Sequence, residues 1–112
     1  KKAIGNDAIE FEELGDSTES PVSDLREDIR AAVSEAVHVR YPGVRILGHM
    51  SSGGTDGMHF RSAGVPTWGM SGIFMNPNDG FSHGLNERVP IKTFYGALDH
   101  WSIIIKSLAS ED

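Results

Sequence analysis

The strongest structural signal in this sequence is a helical repeat of apolar residues near its C-terminal end. In IKTFYGALDHWSIIIKSLA (91–109), apolar side chains recur at three- and four-residue steps, the spacing of one face of an α-helix. They are Ile91, Phe94, Tyr95, Leu98, Trp101, Ile105 and Leu108. Pro90 stands before the first turn, where proline is tolerated. An apolar stripe of this kind predicts a helix that packs on another layer of structure.

A second amphipathic helix is predicted over residues 24–40. Its apolar positions recur at the same spacing and are Leu25, Ile29, Ala32, Val33, Ala36 and Val37. Asp24 followed by Glu27 fits a capping box at the start of the helix. Pro42 and Gly43 end it, because proline cannot continue the hydrogen-bond ladder and glycine releases the backbone.

Short apolar segments around the helices are predicted to be β-strands. They are DAIEFEEL (7–14), VRILGHM (44–50) and VPTWGM (65–70). A short helix is expected between the last two, with Thr55 or Asp56 as its N-cap and Gly64 at its end. The alternation of strands and helices predicts an α/β fold in which helices pack on a β-sheet.

Two segments lack the pattern of any regular element. Residues 15–22, GDSTESPV, are typical of a linker and are the best candidate for a domain boundary. Residues 71–90 are rich in Gly, Pro, Asn, Asp and Ser. Loops of that length in compact domains are usually functional or disordered.

The composition excludes several classes of function. The net charge of −6 argues against a nucleic-acid partner or an anionic membrane surface. The absence of cysteine excludes disulfides and thiolate metal sites, so that any metal would need His, Asp or Glu ligands. No apolar run approaches the ~20 residues of a membrane span.

The glycine-rich turn SSGGTDG is the first candidate for chemistry. Gly53 and Gly54 let the backbone turn tightly and let another group approach closely. Free N–H groups after Thr55 and Asp56, at the start of the predicted helix, would favour a carboxylate or an oxyanion. An ordinary strand-to-helix turn with a Thr or Asp cap explains the same residues.

His83, in the stretch FSHGLNERVP, is the second candidate. A neutral imidazole is a common metal ligand, and loops often carry ligands. Asn86 and Glu87 could orient its ring, or could cap the helix that follows. A solvated loop histidine is the alternative, because zinc needs three or four ligands and no HxH or HxxxH pair is nearby. His100 falls within the C-terminal helix and is expected to be at the surface or half-buried.

Taken together, two motifs resemble a known family. SSGGTDGMHFRSAGVPTWGMSG, followed by SHGLNERVP and an aromatic-rich last helix, resembles the C-terminal part of the M20 zinc metallopeptidases. That family includes glutamate carboxypeptidases, aminoacylases and desuccinylases. The resemblance implies that residues 1–18 are the end of a lid or dimerisation domain, with its last strand and a linker. Residues 19–112 would be the C-terminal part of a zinc-peptidase-like catalytic domain.

The resemblance also assigns roles to the candidate residues. His83 matches a ligand of one of two zinc ions, and Asn86 and Glu87 would support it. Gly53, Gly54, Thr55 and Asp56 match a turn that lines the substrate cleft. The general base and the other ligands would lie outside these 112 residues, so no catalytic residue is expected here and this segment alone should be inactive.

The implied whole protein is a soluble hydrolase of peptides or N-acyl amino acids. It would contain the missing N-terminal part and would form a homodimer through the lid, in the cytoplasm, the periplasm or outside the cell. The alternative function is a non-catalytic α/β binding or interaction module. Serine acyl transfer is disfavoured, because no G-x-S-x-G turn is present.

Overall fold

The computed structural model describes residues 5–6, 8–10, 12, 19–51, 53–80 and 82–110. In chain order its helices are α1 (Glu27–Arg40), α2 (Gly57–Ser62) and α3 (Ile91–Ala109). A single 3₁₀ turn (Pro77–Asp79) interrupts the long loop before α3. The last helix therefore has the bounds that its apolar repeat predicts.

Helices α1 and α3 pack against each other and form the core. Its buried apolar residues are Ile29, Ala32, Ala36 and Val37 from α1, and Ala97 and Ile104 from α3. Val33, Met70 and Ile103 pack against the centre of this cluster. Three of the six buried apolar residues are alanines, so the core has little side-chain volume, and Ile29 and Ile104 are its largest apolar members.

The apolar stripe of α3 lies in solvent instead of in the core. All seven of its residues are exposed, from 39% for Trp101 to 75% for Ile91. The buried face of α3 consists of Ala97, His100 and Ile104. At about 100° per residue, its centre lies more than a quarter turn around the helix from the centre of the apolar stripe. A layer that would cover the stripe is absent from the described part of the chain.

The predicted α/β fold is wrong for the described residues, which form no β-strand. A strand needs a ladder of backbone hydrogen bonds to a partner. Residues 44–50 and 65–70 make no such bonds to each other or to another described segment. At the N-terminus, residues 8–10 and 12 form no lid strand, and Ile9 N–H donates to the Asn6 carbonyl at 3.4 Å. The rest of the predicted strand over 7–14 lies outside the described residues, as do residues 13–18 beside the predicted boundary.

The start of α1 also differs from the prediction. The helix begins at Glu27 after Arg26, and no side chain caps it, so the capping box of Asp24 and Glu27 does not form. The preceding segment is held elsewhere. Trp68 Nε1 donates to the Asp24 carbonyl at 3.2 Å, and Thr67 N–H donates to Ser23 Oγ at 2.9 Å. These bonds tie residues 23–24 to residues 67–68.

The end of α2 confirms the predicted stop at Gly64. Its φ of +82° is a left-handed conformation that glycine adopts without strain. Gly64 N–H donates to the Arg61 carbonyl at 3.0 Å and Val65 N–H to the Phe60 carbonyl at 2.9 Å. This bond pair is a Schellman motif.

The described chain is open compared with a closed domain of its size. Its radius of gyration is 18.5 Å, whereas a compact domain of this length has about 13 Å. Within the described ranges, no helix combines the length and apolar character needed to cross a membrane.

His100 is buried in the α1–α3 contact, contrary to the expectation of a surface or half-buried residue. Its side chain is 1% exposed, and Nδ1 has no hydrogen-bond partner. Burial lowers the pKa of His100, because it disfavours the charged imidazolium. The Ala36 backbone carbonyl opposes this shift in pKa, and the Arg40 guanidinium adds to it.

Acidification is expected to destabilise the helix pair through His100. Unfolded histidine titrates near pH 6.5, and the folded pKa is lower. The contribution to stability is therefore complete above about pH 6.5 and is lost as the pH falls from there through the folded pKa. Melting temperatures between about pH 8 and pH 5 should decline less steeply in His100→Leu, but not in His38→Gln, whose histidine is exposed. An unchanged decline in His100→Leu would contradict this assignment.

Candidate functional site

The turn at residues 53–56 is exposed and leads directly into α2. Gly53 N–H donates to Ser51 Oγ at 3.2 Å, and the Thr55 carbonyl accepts from Met58 N–H at 3.0 Å. Asp56 occupies the N-cap position, but its side chain makes no cap hydrogen bond. Its carboxylate is therefore not used to hold the helix. At six residues, α2 is too short for its dipole to provide an anion site.

Gly57, the first residue of α2, allows a close approach of Thr55, Arg61 and Thr67. A Cβ on Gly57 would lie 3.0 Å from Arg61 Nη1, 3.1 Å from Thr55 Oγ1 and 3.3 Å from Thr67 Cγ2. Arg61 in turn donates through Nη2 to Ser20 Oγ at 3.0 Å. The missing side chain of Gly57 thus lets the turn, Arg61 and residues 65–68 meet closely.

The loop between residues 71 and 90 is attached to the helix pair at its beginning. Arg40 Nη1 donates to the Gly72 carbonyl at 2.6 Å, and Thr93 Oγ1 donates to the Phe74 carbonyl at 3.2 Å. The Phe74 ring lies 5.0 Å from the Tyr41 ring, centroid to centroid. Side chains of α1 and α3 therefore fix the loop where it leaves the core.

The middle of the loop is closed by an ion pair. The Asn76 carbonyl accepts from Asp79 N–H at 2.9 Å, which forms the 3₁₀ turn. Asp79 then pairs with Arg88, nine residues further along. Residues 80–87 are thereby tethered at both ends, and His83 lies near their middle.

His83 has an unusual backbone conformation. Its φ is +62°, and it has the only positive φ among the described residues other than glycine. Such a conformation is uncommon outside glycine, and outliers of this kind cluster at functional sites. The side chain is exposed, and its ring has no hydrogen bond to any other described residue. Its nitrogens are thus available to a ligand.

The two residues predicted to support His83 are close to it in sequence but do not contact its ring. Glu87 N–H donates to the Gly84 carbonyl at 3.2 Å, and the Asn86 carbonyl accepts from Arg88 at 3.5 Å. Neither side chain has a hydrogen bond to the imidazole in the described structure. The orienting role of Asn86 and Glu87 stays a prediction.

The described residues form no complete metal site, and His83 is a candidate for one metal ligand. No group of three or more His, Asp or Glu side chains lies together among them. Nor does any described hydrogen bond or ion pair join the 53–56 turn to His83. His83 nevertheless fits as one donor, since an exposed imidazole without a competing partner suits zinc. The roles predicted for Gly53, Gly54, Thr55 and Asp56 are not tested by this geometry.

The residues that hold the loop are not apparent from the sequence. Arg40 and Thr93 lie on two helices far apart in sequence, and local patterns do not report such contacts. One signal was present. Gly96 interrupts an apolar helical repeat, and an isolated glycine in such a pattern often marks a close approach of another group.

Comparison with known proteins gives a match that spans both candidate segments. A family model described as peptidase family M20/M25/M40 matches residues 3–107. Searches of curated proteins and of solved structures found no significant match.

Proposed function

The chain belongs to peptidase family M20/M25/M40, and on this premise we propose that it supplies one metal ligand and part of the substrate cleft of a metal-dependent amide hydrolase. Members of the family are metallopeptidases or related hydrolases and generally bind metal ions. The observation that carries the proposal is His83, which combines an exposed, unpartnered ring with a left-handed φ of +62° inside the matched region.

His83 is proposed to ligate one of two zinc ions. A bound zinc pair would supply Lewis acidity and lower the pKa of a bound water toward about 7. The part played by this chain is to hold one imidazole nitrogen at the metal, in a loop closed by the ion pair of Asp79 and Arg88. Hydrogen bonding of the other ring nitrogen, to Glu87 or to a backbone carbonyl, would fix the tautomer.

The turn at residues 53–56 is proposed to line the substrate cleft. Its backbone groups are exposed, and Thr55 packs over Gly57 beside Arg61. The Asp56 carboxylate is not used as a helix cap, which leaves it available for substrate or for support of the turn. Peptides and N-acyl amino acids are the proposed substrates, because family membership suggests a peptidase or related hydrolase.

The remaining metal ligands and the general base are proposed to lie in polypeptide that precedes Lys1. The absence of a metal-binding group among the described residues supports this proposal. The exposed stripe of α3 supports it further, since a covering layer would bury seven apolar side chains. A homodimer formed through a lid domain completes the proposed enzyme, and the 112 residues alone would be inactive.

Removal of metal is the direct test of this function. The full-length protein should hydrolyse dipeptides or N-acyl amino acids, lose that activity on dialysis against a chelator and regain it with zinc. The 112-residue chain is the control and should neither hydrolyse these substrates nor bind zinc tightly. Full activity after complete metal removal would contradict the proposal. A full-length protein that never binds metal or turns over substrate would favour a non-catalytic module.

A further inference from the structure

Arg40 connects α1, α3 and the loop of residues 71–90 that carries His83, here called the His83 loop. Arg40 has no proposed role in binding metal or substrate. It is the last residue of α1 and is half-buried. Its Nη1 donates to the Gly72 carbonyl at 2.6 Å, a contact between residues 32 positions apart. We propose that Arg40 is a positioning residue that places the His83 loop by clamping its first residues against α3. This inference rests on the proposed role of His83 as a metal ligand.

The geometry of the Arg40 guanidinium supports this role. It lies 4.8 Å from the Phe74 ring centroid and 5.6 Å from that of Tyr41. Those distances allow cation–π attraction from both aromatic faces. Arg40 therefore holds the loop by one hydrogen bond to Gly72 and one ring contact with Phe74, and the adjacent Tyr41 adds a second ring contact. Lysine cannot reproduce this combination because it lacks the planar, multi-donor group.

Helix α3 provides space for the Arg40 side chain at Gly96. A Cβ on Gly96 would lie 2.6 Å from Arg40 Nη2 and 3.0 Å from Cζ. The guanidinium thus rests directly on the helix surface where a side chain is missing. Glycine weakens a helix interior, so a packing need of this kind accounts for its presence in α3.

The segment that Arg40 clamps packs closely against α3. Gly72 is buried, and a Cβ there would lie 3.0 Å from His100 Cδ2 and 3.1 Å from the Ala97 Cα. Thr93 Oγ1 donates to the carbonyl of Phe74, two residues after Gly72. From this anchor the chain passes through the 3₁₀ turn to the ion pair of Asp79 and Arg88 that brackets His83. We expect a shift at Gly72 to reach His83 through Phe74, the 3₁₀ turn and the ion pair.

The loop position can be measured without any metal. The sequence contains no cysteine, so Ser82→Cys and Glu35→Cys, both at exposed positions, would carry the only two nitroxide labels in the 112-residue chain. The distance distribution between them should broaden in Arg40→Met. It should stay unchanged in Arg30→Met, whose arginine lies on the same helix but only pairs with Glu27 at the surface. Circular dichroism would verify that the helices remain.

A second variant protects the test against a simple folding defect. Gly96→Ala displaces the guanidinium, although alanine favours the helix. It should broaden the distribution as Arg40→Met does. The double variant should be no worse than Arg40→Met alone, because both changes remove the same contact. Additive broadening would overturn the clamp.

The consequence for the proposed enzyme is a loss of metal affinity. In the full-length protein, Arg40→Met should weaken zinc binding about 10- to 100-fold in competition with a chelator, the range for residues that orient a ligand. Unchanged affinity or an unchanged label distribution would overturn the inference, provided that His83→Ala loses metal. If His83→Ala retains all its metal, the proposed function fails, whereas the label distances still report whether Arg40 fixes the loop.

Discussion

Replacing His83 with alanine in the full-length protein is expected to remove about one zinc per subunit and nearly all hydrolysis. The loss should exceed the roughly 100- to 1,000-fold effect of deleting a single transition-state donor, because a missing ligand disturbs the metal itself. Elemental analysis and steady-state kinetics would measure both effects. His38→Ala is the matched control, since His38 is exposed on α1.

The backbone of His83 permits a sharper version of this experiment. At a φ of +62°, histidine and alanine both carry strain of about 1–2 kcal/mol, whereas glycine relieves it. His83→Gly should therefore lose the same metal as His83→Ala while its melting temperature stays equal to or above that of the parent. Retention of both metal ions in His83→Gly would contradict the assignment of His83 as a ligand.

In the 112-residue chain, Ile104→Ala is expected to cost about 2–5 kcal/mol of unfolding free energy, as large-to-small changes in a core do. Ile104 is 2% exposed and is the largest fully buried apolar side chain of the α1–α3 contact. Three of the other five buried apolar residues are alanines, so neighbouring atoms have few ways to fill the cavity. Urea denaturation followed by circular dichroism would measure the change.

Ile105→Ala is the matched control for this prediction. It makes the same chemical change at the next position, where the side chain is 59% exposed. Its cost in the same chain should stay within about 0.5 kcal/mol. Equal costs at the two positions, or a greater cost at Ile105, would mean that the stripe and not the Ala97–Ile104 face packs on α1.

Ile104 and Ile105 show what the sequence reveals about the fold and what it does not. The helical repeat predicts α3 from residue 91 to 109, because periodicity is a local property of the chain. It does not reveal which of two apolar faces meets α1. The larger stripe is the obvious choice, yet the smaller face with Ala97 is the one buried, because small side chains let the helices approach.

The predicted strands failed for a different physical reason. Apolar segments at 44–50 and 65–70 have the composition of strands, but a strand exists only through its partner. No described residue supplies one. The helix end at Gly64, by contrast, depends on a left-handed glycine and two nearby carbonyls, all of which are local. The helix end at Gly64 was therefore predictable from nearby residues, whereas strand pairing and the capping box of α1 were not, because both depend on contacts distant in sequence.

The candidate site divides in the same way. His83 stands out in the sequence because a polar loop surrounds it, but neither its positive φ nor the ion pair that closes the loop could be read from residue types. The clamp formed by Arg40 depends on Gly72 and Gly96, which are distant in sequence. Tertiary packing, and not composition, determines where this histidine stands.

The exposed stripe has an optical consequence. Trp101 lies on it, whereas the other indole, Trp68, packs near Arg26 and donates to the Asp24 carbonyl. In a Trp68→Phe background, emission comes from the stripe alone, and its wavelength follows the polarity around that one ring. Trp101 is thus an intrinsic fluorophore on the surface where a covering layer would dock, and its emission wavelength would report docking.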